Sequence, residues 1–292
     1  MDIVITYVDG RDPAWQQDYE RTMNVPVMAK RYRDWDTLRF LFRGIERHMP
    51  FIRNVWLVVS RDSQVPAWID RSQVHVVLHE EIIPAEYLPT FNSTTIEMFL
   101  HRIPGLSEQF LYFNDDMYPV MDMTPEDFYP GGKAAMGFAR CLFARGMYKR
   151  QTRNSDWLAR EALGLKPGLF FRRPQHTCSP MLRSFSEEAF GRVAPQILSR
   201  LSRARTMENC NQYFFLDYLL YSGRAVSRRL SNKHFSLAAA SIGRICAFLE
   251  QPNRKLVCIN DVHMKESVFQ QARERLLAAF SHHFPEPSRF ER

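Results

Sequence analysis

Three β-rich apolar runs in this sequence end in acidic or amide residues: at Asp9-Gly10, at Asn114-Asp115-Asp116 and at Asn260-Asp261. Adjacent carboxylates at one strand end repel each other and settle when a cation stands between them, as when Mg²⁺ or Mn²⁺ is held beside a diphosphate. Asn114-Asp115-Asp116 alone is equally a capped turn; the acids at Asp9 and Asp261 add weight to the metal. Glu97 and His101 lie four residues apart, as a base with its partner or as a surface pair. Arg39 and Arg43 have the same spacing, with Arg33 just before them, and would clamp phosphate oxygens or line a solvated helix face. His176, in a basic stretch bracketed by prolines, offers a general base near neutral pH or a polar loop side chain. Arg203 and Arg205 would end a helix over 186–204, where the C-terminal dipole favours cations.

Apolar patterning predicts the elements that position these residues. A near-continuous apolar run at 3–8 suits a strand buried on both faces, and 55–59, 74–78 and 110–113 read as further strands. A helix capped by Asp34 carries Leu38, Leu41, Phe42 and Ile45 on one face, and a second over 92–103 carries Ile96, Phe99, Leu100 and Ile103. Strands alternating with helices predict an α/β fold, a mostly parallel sheet covered on both faces, with its ligand at the carboxyl ends of the strands. Beyond about residue 135 the alternation fades. Helical patterns then run over 186–204, 212–222 (capped by Gly223) and 266–280, with one strand at 256–259. The expected organisation is a single catalytic domain over 1–292, an α/β core over 1–139 and a helix-rich part over 140–292 that completes the active site.

The 292 residues are 45% hydrophobic and 13% aromatic, which excludes disordered, collagen-like and coiled-coil classes. The net charge of +7 is strongly Arg-based and unevenly spread. Residues 1–139 hold 13 bases and 20 acids, residues 140–205 hold 14 and 4, and residues 206–292 hold 12 and 8. Without zinc-finger spacing, an RNP-like strand or a basic heptad helix, no nucleic-acid partner is expected. The absence of GxGxxG, Walker, GxSxG and HExxH motifs removes the main signatures of dinucleotide oxidoreductases, P-loop kinases, α/β-hydrolases and zincins. Five cysteines without a CxxC pair argue against a disulfide framework or structural zinc. No leader-like start or membrane-length apolar run is found, so the chain is expected in the cytoplasm. Peripheral contact with the inner face of the plasma membrane stays open. The helix over 266–280, with Arg273 and Arg275 beside Leu276, Leu277 and Phe280, would either dock on an anionic surface or pack on the core.

The motifs also have an order. Residues 2–10 are followed by Arg33-Asp34, Leu38-Arg39 and Arg43-Gly44-Ile45-Glu46. Next come Leu88-Pro89-Thr90-Phe91-Asn92-Ser93, Ile96-Glu97, residues 100–107 and Asn114-Asp115-Asp116-Met117. This series resembles the first two conserved regions of the Stealth family, the sugar-1-phosphate transferases of bacterial capsule synthesis related to the animal GlcNAc-1-phosphotransferase. The stretch from His176 to Gly223 resembles the family's third region and Cys258-Ile259-Asn260-Asp261 its fourth. Two departures from the pattern are Thr177-Cys178 ahead of Ser179-Pro180, and Val262-His263 after Asp261.

The resemblance implies a Rossmann-like, glycosyltransferase-A-like core. It implies Glu97, Asp116, His176 and Arg205 as the catalytic set, and Asp9, Gly10, Arg33, Arg39, Arg43 and Asn92 on the donor side. Asp115, Asp116, Asn260 and Asp261 would hold Mg²⁺ or Mn²⁺. In the implied reaction a hydroxyl of a polysaccharide or oligosaccharide acceptor, lipid-linked or not, attacks the phosphorus next to the sugar of a UDP-sugar and releases UMP. His176 or Glu97 would take the proton. A metal-dependent glycosyltransferase would use the same acidic strand end and release UDP; a polysaccharide-binding module would release neither nucleotide.

Overall fold

Every residue of the strand Val55–Val59 is buried, as a strand covered on both faces requires. The computed structural model describes residues 1–27, 32–261 and 264–292, so Val262 and His263 lie outside the described residues. The strands are β1 (Asp2–Thr6), β2 (Val55–Val59), β3 (Val74–Leu78), β4 (Gln109–Asn114), β5 (Met117–Pro119), β6 (Ala134–Met136), β7 (Phe138–Cys141), β8 (Phe171–Pro174), β9 (Ser179–Leu182), β10 (Ala225–Ser227), β11 (Asn232–Ser236) and β12 (Leu256–Asn260). The helices are α1 (Pro13–Met23), α2 (Leu38–His48), α3 (His79–Ile82), α4 (Ser93–Glu97), α5 (Pro125–Phe128), α6 (Met147–Ala162), α7 (Arg183–Arg192), α8 (Ala194–Leu198), α9 (Tyr213–Tyr221), α10 (Ile242–Glu250) and α11 (Glu266–His283).

The largest sheet has the order β3-β2-β1-β4-β9 and is mostly parallel, with β9 antiparallel to β4. The expected α/β class is therefore what forms. From β1 the chain steps outward through β2 to β3, then returns to the other side of β1 as β4. That reversal is the switch point at which such sheets receive ligands, at the carboxyl ends of their strands.

Contacts divide the chain into two units. The first comprises Met1–Val4, Val77–Tyr112 and Pro125–Leu230; the second comprises Ile5–Val76, Phe113–Thr124 and Ser231–Arg292.

In the first unit, β10 pairs parallel with β6 and β7 pairs antiparallel with β8. The second half thus holds more strands than the one expected; β7, β8, β9 and β10 are three or four residues long, too short to print a pattern. Helix α6 has no continuous apolar stripe either: its buried face carries Gln151, Thr152, Ser155 and Asp156. Each has an internal partner. Gln151 donates to the Thr206 carbonyl at 2.7 Å, Thr152 to the Tyr148 carbonyl at 2.9 Å and Ser155 to Asn211 Oδ1 at 3.0 Å, while Asp156 accepts from Arg160 at 2.8 Å. Two expected helices are shorter than their patterns. The 92–103 stretch is α4 followed by a separate 3₁₀ turn, Leu100–Arg102. Its apolar residues Phe99, Leu100 and Ile103 are buried all the same. The 186–204 stretch is α7 and α8, interrupted at Val193 just before Pro195. Arg203 and Arg205 lie beyond α8, so no helix dipole accounts for them. Helix α9 does stop at Gly223, whose φ of 75° is one that glycine adopts without strain.

In the second unit, β11 pairs parallel with β12, which pairs antiparallel with β5. Helix α2 forms with the expected buried face, but its N-cap is Thr37 and not Asp34. The aromatic core includes Phe40 stacked on Phe280 of α11 at 5.2 Å. Phe269, Ala272, Leu276 and Phe280 of α11 are buried, so this helix packs on the core and its apolar face is not available for a membrane.

Candidate active site

In the second unit the carboxyl ends of β1 and β4 carry the acids. Tyr118 of β5 holds the loop after β4: its hydroxyl donates to the Asp115 carbonyl at 3.1 Å and accepts from Thr37 Oγ1 at 2.7 Å. Ile259 N donates to the Asp116 carbonyl at 3.0 Å and brings β12 alongside. Asp116 Oδ2 accepts from Asn260 Nδ2 at 2.8 Å and lies 3.6 Å from the Cys258 thiol. His234 donates from Nε2 to Asn260 Oδ1. Asp116 Oδ1 is buried with no hydrogen-bond partner. Burial pushes the Asp116 carboxyl up to about 6. Burial, then the charges of Asp116 and Asp34, push Asp115 up to about 7. A carboxylate oxygen left orphaned beside a second raised carboxyl is a hard oxygen pair that fits a divalent cation of the Mg²⁺ or Mn²⁺ kind, and Asn260, with its amide between Asp116 and His234, braces it.

Asp9 accepts from Arg11 Nε at 3.1 Å, and the same guanidinium donates to Asp34 at 2.9 Å and to Asp36 at 3.1 Å. Tyr7 donates to the same Asp34 oxygen, Oδ2, at 2.9 Å. Arg11 joins this group in addition to the expected residues, and its place directly after Asp9-Gly10 is the sequence signal for it. Gly10 is required by space: a Cβ there would lie 2.1 Å from the Tyr32 carbonyl oxygen. Arg33 sits 4.0 Å from Asp261 and 4.4 Å over the Phe269 ring, with its NH1 buried and unpartnered. The remaining two arginines are engaged elsewhere. Arg39 lies over the Trp68 ring at 5.5 Å. Arg43 donates to Glu291 at 2.7 and 2.8 Å and to the Phe284 carbonyl at 2.9 Å, so its fork is committed inside the protein.

In the first unit Glu97 ends α4 and is buried. Its Oε2 accepts from Gln212 N at 3.0 Å and its Oε1 from the Tyr112 hydroxyl at 3.5 Å. Burial pushes its carboxyl up to about 7 against the opposing pull of the Gln212 amide and the Arg205 charge. A carboxyl that titrates near neutral pH suits proton transfer. Tyr213, next to Gln212, approaches His176 Nδ1 at 3.3 Å, and its hydroxyl meets that of Tyr148 at 3.2 Å. The start of α9 thus anchors both Glu97 and His176. Arg205 is exposed and donates to Ser93 Oγ at 2.5 Å.

Asn92 is fully buried. It caps α4 through Thr94 N, while its Nδ2 donates to the Ser202 carbonyl at 3.0 Å and to Asn209 Oδ1 at 3.1 Å. Its structural work is therefore to fasten the Arg205-bearing loop to the helix of Ser93 and Glu97. His101 is not paired with Glu97. Its ring packs against Phe190 and Phe215, and burial pushes its pKa down to about 3.

Residues 31–136 match the model of conserved region 2 of Stealth proteins. The chain is 30% identical to the capsular polysaccharide phosphotransferase WcwK of Streptococcus pneumoniae, over 100% of this chain and 99% of that protein. It is 33% identical to an exopolysaccharide phosphotransferase of Streptomyces coelicolor, over 100% of this chain but 52% of the relative. A capsular polysaccharide phosphotransferase of Actinobacillus suis is 30% identical over 92% of this chain and 78% of its own. Among solved structures, galactosyltransferase LgtC with donor and acceptor sugar analogues covers 97% of this chain and 96% of its own at 11% identity. Its TM-score is 0.46. The full-length sequence relationship, with the region 2 match, shows that the chain belongs to the Stealth family of phosphotransferases.

Proposed function

We propose that this protein transfers a sugar 1-phosphate from a UDP-sugar to a hydroxyl of an acceptor glycan, leaving a phosphodiester and releasing UMP, in capsular or exopolysaccharide synthesis on the cytoplasmic side. The chain acts in this reading as one catalytic domain. The observation that carries it is the buried, unpartnered Asp116 Oδ1 beside the raised carboxyl of Asp115. The names of the three relatives support the reaction class.

Phosphoryl transfer needs in-line positioning and neutralisation of charge more than covalent help. Asp115 and Asp116, with Asn260 and Asp261 alongside, would hold Mg²⁺ or Mn²⁺, which would supply neutralisation of diphosphate charge. Arg205 offers its guanidinium to phosphoryl oxygens, and Asn92 positions it through the loop network. Asp9, Gly10 and Arg33 serve the donor. Glu97 or His176 takes the hydroxyl proton. Glu97 is poised for it near neutral pH, and the Tyr213 hydroxyl at Nδ1 orients the His176 ring.

Chromatography of the nucleotide released from a panel of UDP-sugars tests this. UMP is expected. UDP would instead identify a glycosyltransferase, and release of neither would identify a binding module.

A further inference from the structure

The segment 140–173 of the first unit combines two properties that a protein surface seldom combines by accident. It holds nine Lys and Arg against two Asp and Glu. It also holds Leu142, Phe143, Met147, Tyr148, Trp157, Leu165, Leu169 and Phe170, most of the large hydrophobics that are exposed among the described residues. Phe143 is 68% exposed and Leu169 77%, so both rings or branches stand in water.

These residues converge at one place. Strands β7 and β8 pair with Arg140 opposite Arg172 and Cys141 opposite Phe171. The residues that continue past that end, Leu142-Phe143 on one side and Leu169-Phe170 on the other, therefore form one apolar tip. Arg140 lies over the Phe170 ring at 4.7 Å and flanks it with charge. Helix α6 leaves the same tip. Its outward face has Arg150, Arg153 and Trp157 at i, i+3 and i+7, with the Arg153 guanidinium 4.5 Å over the Trp157 ring.

We infer that this face docks the protein on an anionic lipid surface, with Phe143 and Leu169 entering the boundary between headgroups and acyl chains and the surrounding arginines meeting anionic headgroups. Apolar side chains framed by Lys and Arg are the signature of interfacial binding, where each part contributes separately. A soluble polyanion would use the bases and leave the apolar tip in water. A second copy of the same face would set like charge against like. No helix of the described residues is long and apolar enough to cross a membrane, so this would be attachment to a surface.

The test is co-sedimentation of the full chain with phosphatidylcholine vesicles, with and without phosphatidylglycerol. Wild type is expected to sediment with the anionic vesicles and to be released by salt. Phe143→Ser with Leu169→Ser should lower partitioning by about tenfold or more. Arg150→Glu with Arg153→Glu should lower it by a similar factor on anionic vesicles only. The first pair lies on the surface, and unchanged circular dichroism with unchanged nucleotide release from a UDP-sugar with a soluble acceptor will show that the fold and active site are intact. Three results would overturn the inference: no binding of wild type to either vesicle; equal binding by the Phe143→Ser, Leu169→Ser protein; or wild-type dimers that the same pair dissolves without any vesicle binding. Because the vesicle assay contains no donor or acceptor, its outcome is independent of the reaction proposed above.

Discussion

Arg43 and Asp116 are both charged groups withdrawn from water in the second unit, and the protein treats them in opposite ways. Arg43 has Nε and Nη2 on Glu291 and Nη1 on the Phe284 carbonyl, with side-chain exposures of 11% and 8% across the ion pair. Asp116 keeps one oxygen without a partner and has Asp115 beside it. The first is a completed internal bond between α2 and residue 291. The second is an arrangement that weakens the fold unless something positive joins it. The first unit repeats the contrast: Asn92 has its amide donors used, while Glu97 is a buried carboxyl raised to about 7. Buried polar groups that are incomplete, more than those that are merely buried, mark where a ligand is expected.

If that contrast is right, substitutions on its two sides will separate rate from stability. Asp116→Ala should lower kcat/KM by roughly 10³-fold while the protein stays folded, because a destabilising buried charge is removed. Steady-state kinetics beside a melting curve checks this, and a folded variant with wild-type turnover would remove Asp116 from the site. Arg43→Ala should do the reverse, costing about 3 kcal/mol in denaturant unfolding by leaving Glu291 buried and unpaired, with kcat little changed. Loss of activity in a still-folded Arg43→Ala would place this arginine on the donor side after all. Glu97→Gln, which keeps the shape but cannot accept a proton, should cost about 10²-fold in kcat and flatten the pH–rate profile near 7. A flattened profile in His176→Ala instead would assign the base to the histidine.

A smaller effect concerns pH. Carboxyls raised in the folded protein bind protons more tightly there than when unfolded, so they reduce stability progressively as pH rises. For Asp116 that loss runs from near its ordinary value of 3.8 to about 6, and for Asp115 to about 7. In metal-free buffer, Asp116→Asn should therefore gain on wild type by roughly 2–4 °C in Tm between acid and neutral pH. Added Mg²⁺ or Mn²⁺ should close that gap by stabilising only the wild type. A gap indifferent to both pH and cation would show that the carboxyls carry no metal. Arg39→Ala, which loses the position over Trp68, should cost at most about 1 kcal/mol.

The legibility of the sequence follows the same division. Apolar runs are local patterns, and β1, β2, β3, β4 and β12 could be read from them, as could the strand-end positions of Asp9, Asp115, Asp116 and Asn260 in three of them. Helix α6 could not, because its buried Gln151, Ser155 and Asp156 look like solvent-facing residues until their distant partners Thr206, Asn211 and Arg172 are known. The 92–103 pattern fits one helix or two short turns equally well, since both bury Ile96, Phe99, Leu100 and Ile103. Spacing alone also could not tell a phosphate clamp from Arg43, whose partner Glu291 lies 248 residues away. Local spacing shows which residues have usable chemistry. Only the tertiary partners show which of them have already spent it.

The most direct test of the central claim uses a UDP-sugar radiolabelled at the phosphorus attached to the sugar. With wild-type protein, acceptor and Mg²⁺ or Mn²⁺, the label should move into the glycan and UMP should leave unlabelled, and Asp116→Ala should leave the label in the donor. Label recovered in free UDP, with the sugar transferred, would contradict the account.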